Sequence, residues 1–452
     1  MTQPLYSNHF DVIVIGVGGM GSATCYHLAR RGKRVLGLER FSIPHTKGSS
    51  HGYTRIIRLA YYEHPSYVLL LRRAYELWRE IQMEAGEQLL HITGSIDAGP
   101  ADSWVFKGSW DSCKLHDLPH EVLTGSELRR RFPGYHLPAD TMAVLQPEGG
   151  FLRPERCIVR YVQAAQALGA EIHGHEHVLE WEPTSGGVRV RTDRAVYEAD
   201  KLVLTAGAWN GDLLDCIDHM IVPERQVLAW LQPARPDYFQ PSNFPVFNLL
   251  VEEGRFYGFP IFDVPGFKFG KYHHLAEFST AEDADREPHA YDEAVLRQCA
   301  ERYFPEGCGP TMSLETCLFT NTADGHFLLD THPLYPQVSF CSACSGHGFK
   351  FVSVIGEIMA DLAQYGLTRH DISLFRRDRL LDAGGRPLNP NLQPHGADQH
   401  SDHVVPDIMT QQPYSRGRAA HHTISGWDRQ ARGDGASEQG SFVRAKDIQP
   451  FW

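Results

Sequence analysis

Four apolar residues in a row, Val12-Ile13-Val14-Ile15, open the ordered pattern of this chain and read as a strand buried on both faces. With Asp11 the strand spans Asp11–Ile15, and a glycine-rich turn follows at Gly16–Gly21. Ser22–Arg31 reads as a helix that Gly32 ends, and Lys33–Glu39 as a second strand, so the chain begins βαβ. Tyr67–Ala85 predicts a helix with Leu70, Ala74, Leu77 and Ile81 on one face. From about residue 86 to 145 the sequence is rich in Gly, Pro and Trp and shows no α/β alternation. Arg153–Leu168 returns to helix, and residues 169–172 begin a new strand.

Further along, Gly187–Asp193 and Ala195–Tyr197 suggest a hairpin, and Lys201–Thr205 another buried strand. Short aromatic-rich strands are expected between about 220 and 315, such as Arg255–Phe262 and Phe267–Tyr272. Val338–Cys341 is the last core strand, followed by a glycine turn and a helix over Phe349–Tyr365, with Val352, Ile355, Met359 and Leu362 along one side. Beyond about 385 apolar periodicity disappears, and such a segment cannot bury enough surface to offset its ordering entropy. It is read as a disordered tail.

Composition narrows the class without choosing a function. The 452 residues exceed what one hydrophobic core usually supports, so two domains are expected. A net charge of −12 argues against nucleic-acid and anionic-membrane partners, and no apolar run approaches the roughly 20 residues of a spanning helix. Nine irregularly spaced cysteines, with only the short polar stretch Met1 to Phe10 ahead of the first strand, predict a reduced cytoplasmic chain. Cys341 and Cys344 form a C-x-x-C with no second pair, which reads as structural, and no metal is expected.

Chemistry enters with Gly16-Val17-Gly18-Gly19-Met20-Gly21, which fits G-x-G-x-x-G between a strand and a helix, with Glu39 closing the next strand. Gly16 permits the turn, Gly18 lets a pyrophosphate approach the backbone, Gly19 continues the loop, and Gly21 lets helix and strand pack closely. The helix N-terminus faces the phosphates. Glu39 accepts from ribose hydroxyls and repels a 2′-phosphate, which disfavours NADP. A nicotinamide enzyme would continue as one unbroken doubly wound sheet, whereas this chain breaks off after two strands and returns late, a pattern that suits FAD.

At His51-Gly52-Tyr53-Thr54-Arg55-Ile56-Ile57-Arg58 the chain resembles the monomeric sarcosine oxidase and N-methyl-tryptophan oxidase group of D-amino-acid-oxidase-like flavoproteins. Further motifs carry the likeness in order from about residue 8 to 385: Thr205-Ala206-Gly207-Ala208-Trp209, Tyr257-Gly258-Phe259-Pro260, Glu315-Thr316-Cys317, and Gly346-His347-Gly348-Phe349-Lys350. The resemblance implies an α/β plus α+β fold. A discontinuous Rossmann-type FAD domain is expected over 8–85, 146–219 and 315–385. A substrate domain on an antiparallel sheet is expected over 86–145 and 220–314, and a polar tail over 386–452.

The resemblance also implies roles, residue by residue. Cys317 would hold the flavin through a thioether. Arg58 and Lys350 would clamp a substrate carboxylate. Lys268 would promote reaction with oxygen. His51 and Arg55 would border the flavin, and Tyr257 and His273 would line the substrate pocket, with His273 one place from the family's pattern. Thr54, Val178, Gly346 and Gly348 would join the cofactor contacts, and the Gly346–Gly348 turn with Lys350 would stabilise negative charge gathered on the reduced ring. The implied activity is oxidation of a small secondary amino acid by a monomeric enzyme, with O2 as acceptor. A dehydrogenase passing electrons to a quinone or protein, and a non-catalytic FAD-binding protein, are the alternatives.

Overall fold

The computed structural model describes residues 9–388, so the tail beyond 388 and residues 1–8 of the polar N-terminal stretch lie outside the described residues. The opening apolar run forms the strand His9–Ile15, hydrogen-bonded in parallel to Val35–Leu38 on one side and to Val196–Leu204 on the other. Burial on both faces explains the unbroken apolar run. The sheet has eight strands. Glu171–His173 extends it beyond Val35–Leu38, and Val178–Pro183 with Val188–Thr192 extends it beyond Val196–Leu204, where Val338–Ser342 and Leu328–Thr331 also join.

The helices Gly19–Arg30 and Val352–Tyr365 pack on this sheet, and Gly356 sits against Ala23 where they meet. The first helix starts at Gly19, earlier than expected, with Gly18 as its N-cap, so Gly19, Met20 and Gly21 of the glycine motif already form its first turn. Val196–Leu204 is one continuous strand: the hairpin partner and the buried strand expected separately are two ends of it.

A second eight-stranded sheet forms the other layer, in the order Thr311–Thr322, Ile221–Leu231, Phe267–Lys271, Gly254–Phe259, Val246–Val251, Ser95–Gly99, Met142–Gln146, Glu121–Thr124. Its pairs are antiparallel except the one between Val246–Val251 and Ser95–Gly99. A cluster of Phe239, Phe244, Phe247, Phe267 and Phe304 fills one face. A small sheet of Arg55–Ile57, Gly150–Leu152 and Leu90–Ile92 lies apart from both.

Two expectations need correction. Residues 86–145 contain the helices Trp104–Leu115 and Gly125–Arg131, capped by Ser103 and by a Thr124/Glu127 capping box. The stretch 220–315 is not only short strands: Ile221–Leu231 is eleven residues long and wholly buried, and Ala290–Tyr303 is a helix. In both, tertiary burial overrides a mixed local pattern. Strand Thr311–Thr322, which carries Cys317, pairs along its length with Ile221–Leu231 in the second sheet. Among the described residues no helix is long and apolar enough to cross a membrane.

The contact between the two helices gives a test. A Cβ on Gly356 would lie 2.5 Å from the Cβ of Ala23 and 2.7 Å from its carbonyl carbon. Gly356→Ala should therefore cost about 1–3 kcal/mol by overpacking, seen as a lower urea midpoint; an unchanged midpoint would refute this packing.

Candidate functional site

The glycine turn is built as its sequence requires. Gly16 has φ +88°, and a Cβ there would lie 2.6 Å from Ala206 Cα. A Cβ on Gly18 meets nothing within 4 Å, and the helix from Gly19 has no side-chain cap, so its first N–H groups face outward. Glu39 is buried at the end of the second strand. One carboxylate oxygen accepts from Val17 N at 2.9 Å and the other from Phe41 N at 3.0 Å. Burial pushes its pKa upward against those bonds. Glu176 N donates to Glu39 O at 2.8 Å, which brings Val178, two residues on, to the same end of the sheet.

The segment 48–54 runs from this turn to the second sheet. A Cβ on Gly19 would sit 3.0 Å from both Ser50 Oγ and Val352 Cγ2, so turn, segment and last helix converge. Glu155 Oε1 accepts from Gly52 N at 2.5 Å and Tyr53 N at 3.0 Å. The inward carbonyls then hold Lys268, whose Nζ donates to Gly52 O at 2.5 Å and to Thr54 O and Oγ1 at 2.9 and 3.0 Å. Three acceptors match the three N–H bonds of an ammonium. Burial, then the nearby Arg55, push the pKa of Lys268 well below the ordinary lysine range.

Arg55 donates to Thr54 O and Ser49 O, and its Nη2 lies 3.8 Å from Cys317 Sγ. The Cys317 thiol is buried; burial raises its pKa while Arg55 opposes the rise. His51 is 1% exposed, yet neither ring nitrogen makes a well-formed hydrogen bond, and the nearest carboxylate oxygen, on Glu315, is 3.9 Å away. Burial, then Arg55 and Lys268, push its pKa down to about 3 despite the adjacent Gly48 backbone, so the ring is neutral.

On the far side of Cys317, Tyr257, Tyr272, Phe319 and Ile56 form one apolar cluster. Tyr272 stands beside Tyr257 with ring centroids 4.8 Å apart, and its hydroxyl donates to Asn248 Oδ1 at 3.1 Å. His273 does not join them through its ring nitrogens: Nδ1 lies 2.9 Å from Glu224 Oε2, a fully buried carboxylate. The His273 ring stands edge-on to Phe319 of that cluster, centroids 6.4 Å apart, and alternation counted from Lys268 through Gly270 brings Tyr272 beside Tyr257 as well. That count was available in the sequence.

Arg58 is fully enclosed. Its guanidinium donates to Ala60 O and to Glu63 Oε2 at 2.7 Å, lies 3.7 Å from Asp97 Oδ1, and stacks on Tyr61 and Tyr62. Burial opposes its charge, but Asp97 and Glu63 more than offset this. Burial would likewise raise Glu63, yet Arg58 first, then His347 and Lys350, hold it at about 2. Lys350 lies in a single 3₁₀ turn, Phe349–Phe351, ahead of the helix, and its Nζ donates to His347 O at 2.7 Å. Burial, then Arg58, lower its pKa to about 7. Gly346, at φ +74°, makes the turn before it, where a Cβ would meet Phe319 at 2.7 Å.

The chain is 42% identical over 379 residues to the monomeric sarcosine oxidase of Streptomyces avermitilis, covering 83% of this chain and 98% of that one. It is 35% identical over 370 residues to the N-methyl-L-tryptophan oxidase of Yersinia pestis, covering 81% and 98%. The FAD dependent oxidoreductase family matches residues 11–362. The chain belongs to the FAD-dependent oxidoreductase family. Among solved structures, NikD, an unusual amino acid oxidase essential for nikkomycin biosynthesis, aligns with a TM-score of 0.72 at 28% identity over 81% of this chain and 97% of its own. L-proline dehydrogenase from P. horikoshii shares the fold, with a TM-score of 0.71 at 19% identity over 82% and 98%.

The residues of this FAD-dependent oxidoreductase fit the cofactor its family uses. The uncapped helix end and open Gly18 suit a pyrophosphate, Glu39 a ribose, and the unpartnered buried His51 a polar ring beside Cys317. Lys350 supplies a pH test. Below about pH 7 it carries the charge that a carboxylate ligand needs; above that, binding must take up a proton. The Kd of a carboxylate ligand, titrated by flavin absorbance, should therefore weaken from pH 7 upward by up to about tenfold per unit, and Lys350→Met should flatten the profile. A flat wild-type profile would contradict this role.

Proposed function

We propose that this oxidoreductase oxidises a small secondary amino acid, N-methylated or cyclic, to an imine that water hydrolyses. Two electrons and two protons leave the substrate as its C–N bond becomes C=N, and O2 takes them up as H2O2. The observation that carries this reading is a set of buried basic side chains, Lys268 beside Arg55 and Cys317, and Arg58 with Lys350 around Glu63. FAD, when bound, supplies the two-electron acceptor.

Gly16–Gly21, Glu39, Val178, Thr54 and Gly346–Gly348 would hold the cofactor, with Cys317 tethering its ring through a thioether. Cofactor contacts then come from residues 8–85, 146–219 and 315–385, and the substrate side from 86–145 and 220–314. Arg58 and Lys350 orient the carboxylate so that the amine presents its reacting carbon. Tyr257 and Tyr272 wall the pocket and exclude water, and His51 and Arg55 border the ring. Lys268 places a positive charge where oxygen gains electrons. The supports are the aligned relatives, named as oxidases of sarcosine and N-methyl-L-tryptophan, and the geometry around each residue. We further propose a cytoplasmic monomer, on the nine free cysteines and the likeness to monomeric sarcosine oxidases.

Three outcomes test the reading. Acid-precipitated protein should stay yellow, and Cys317→Ser should release its flavin to the supernatant; a colourless wild-type pellet rejects the tether. Lys268→Met should slow reoxidation by O2 by about 10²-fold or more, and reduction by substrate far less. Equal slowing of both half-reactions favours a dehydrogenase that uses another acceptor. Because the amine must be neutral to react, kcat should rise toward alkaline pH, read as peroxide release at saturating sarcosine; no rise counts against amine oxidation.

A further inference from the structure

Lys268 is 2% exposed, and its three hydrogen-bond acceptors, Gly52 O, Thr54 O and Thr54 Oγ1, are all neutral. Such oxygens solvate an ammonium without neutralising it, so a lysine buried this way tends to shed its proton. Two rings flank Nζ, Phe259 with its centroid 4.4 Å away and Trp230 at 5.3 Å. The titratable groups around it come from three elements. They are His51 and Arg55 on the segment that holds it, Cys317 and Glu315 on the strand Thr311–Thr322, and Glu155 on the helix Pro154–Ala167. A Cβ on Gly52 would lie 3.4 Å from Arg55 Nη1 and 3.7 Å from Lys268 Nζ, so two cations crowd one residue.

Glu155 reaches that same residue through its N–H. Its Oε1 accepts from Gly52 N at 2.5 Å and from Tyr53 N at 3.0 Å. Gly52 and Tyr53 have φ +92° and +66°, a region that a tyrosine rarely enters. Two successive N–H groups thus meet one carboxylate, a concavity of amides that takes an anion, and Thr54 N closes the bend on Gly52 O at 2.8 Å. A single residue separates anion from cation: Glu155 binds the N–H of Gly52, and Lys268 its carbonyl. Glu155 also stands in the first turn of its helix, just after Pro154, where the helix dipole favours negative charge. Glu315 is a second carboxylate, one alternation from Cys317 along its strand, but burial pushes it toward its neutral form. Burial and then Arg55 draw the proton from Lys268, and Glu155 leads the groups that oppose them.

We propose that Glu155, assisted by Glu315, is a positioning residue that keeps Lys268 protonated. The bend it shapes delivers two carbonyls to the ammonium, and its own charge offsets that of Arg55 across Gly52. This rests on the reading in which the charge of Lys268 meets oxygen, and it names what maintains that charge. Lys268 carries its charge below its pKa and loses it above, and removing a nearby anion lowers that point. With Glu155 made neutral, the charge is lost from a lower pH upward, and the fast reaction with oxygen goes with it.

The test uses the flavin-loaded enzyme as wild type, Lys268→Met, Glu155→Gln and Glu315→Gln. Flavin absorbance is titrated without substrate from about pH 5 to 10, and the step absent from Lys268→Met reports the lysine. Glu155→Gln keeps the acceptor and removes its charge, so the step should fall by about one pH unit or more. Glu315→Gln should move it the same way by less. A step at its wild-type position in Glu155→Gln, no Lys268-dependent step in that variant, or a larger fall in Glu315→Gln overturns the proposal. If Glu155→Gln fails to fold, Glu315→Gln decides alone, and a step that does not fall overturns it. Reoxidation by O2 is then followed after photoreduction, again without substrate. Between the two steps Glu155→Gln should be about tenfold slower than wild type, and below its own step it should regain the wild-type rate. Slowing by one factor at every pH marks a purely structural fault and overturns the proposal. Were the wild type not reoxidised by O2, the oxidase reading would fail, and the absorbance step would still decide the role of Glu155.

Discussion

A cation shut away from water has to be held by something inside the protein, and three buried cations, Arg58, Lys268 and Lys350, set the terms for this site. Each is held differently. Arg58 has two carboxylates, Glu63 and Asp97. Lys268 has two carbonyls and a hydroxyl from the segment Gly52–Thr54, which Glu155 fixes from behind through Gly52 N and Tyr53 N. Lys350 has one carbonyl, from His347. The order of support is also the order in which an arriving anion has something to add. Arg58 is nearly satisfied and Lys350 is the least so; burial and then the nearby Arg58 bring the pKa of Lys350 down to about 7. In the proposed reading, a site arranged in this way favours an anionic ligand.

The same constraint explains the neighbours of the cations. His347 is buried with Nδ1 2.6 Å from Tyr61 Oη and Nε2 3.0 Å from Gly325 O. Burial drives its pKa down to about 3, so it is neutral; Nε2–H donates to the carbonyl, and Nδ1 accepts from the tyrosine. A neutral imidazole fixed at both ends can aim its own backbone carbonyl at Lys350 without adding a fourth charge. His51 is held neutral by the same burial beside Arg55 and Lys268. Both histidines serve here as uncharged polar groups.

Much of this was legible in the chain. Val12–Ile15, the glycine turn and Glu39 could be placed because a parallel strand buried on both faces admits only apolar residues, and the turn after it tolerates few side chains. The helix Tyr67–Ala85 was legible to the residue, since its apolar face repeats cleanly and Gly86 in the left-handed region ends it. The second layer was harder. Ile221–Leu231 is buried throughout yet holds Pro223, Glu224, Arg225 and Gln226, so nothing in its hydropathy announces a core strand. The charged groups among them find their partners far along the chain, Arg225 on Asp292 and Glu224 on His273 and Asn321. Sequence alone cannot supply that information. The capping box at Thr124 and Glu127 was readable and marks a helix in a region read as lacking α/β alternation. Tyr272 beside Tyr257 was a matter of counting: period two from Lys268 gives it.

The position of Cys317 ties the two layers into one chemical argument. The glycine turn belongs to the first sheet, and Cys317 to the strand Thr311–Thr322 of the second. In the proposed reading, a cofactor anchored at the turn alone would leave its ring free to shift relative to Lys268 and Tyr257, which belong to the second sheet. A bond to Cys317 removes that freedom, because Cys317, Lys268 and Tyr257 all lie on strands of one hydrogen-bonded sheet. Such a bond needs the thiolate, and burial alone makes that form scarce. The residue that opposes burial is Arg55, 3.8 Å from the sulfur and pinned by the carbonyls of Ser49 and Thr54. In the proposed reading, the segment that holds Lys268 also holds Arg55, which works against the burial of the Cys317 thiol, so a fault in residues 48–54 would weaken attachment and oxygen chemistry together.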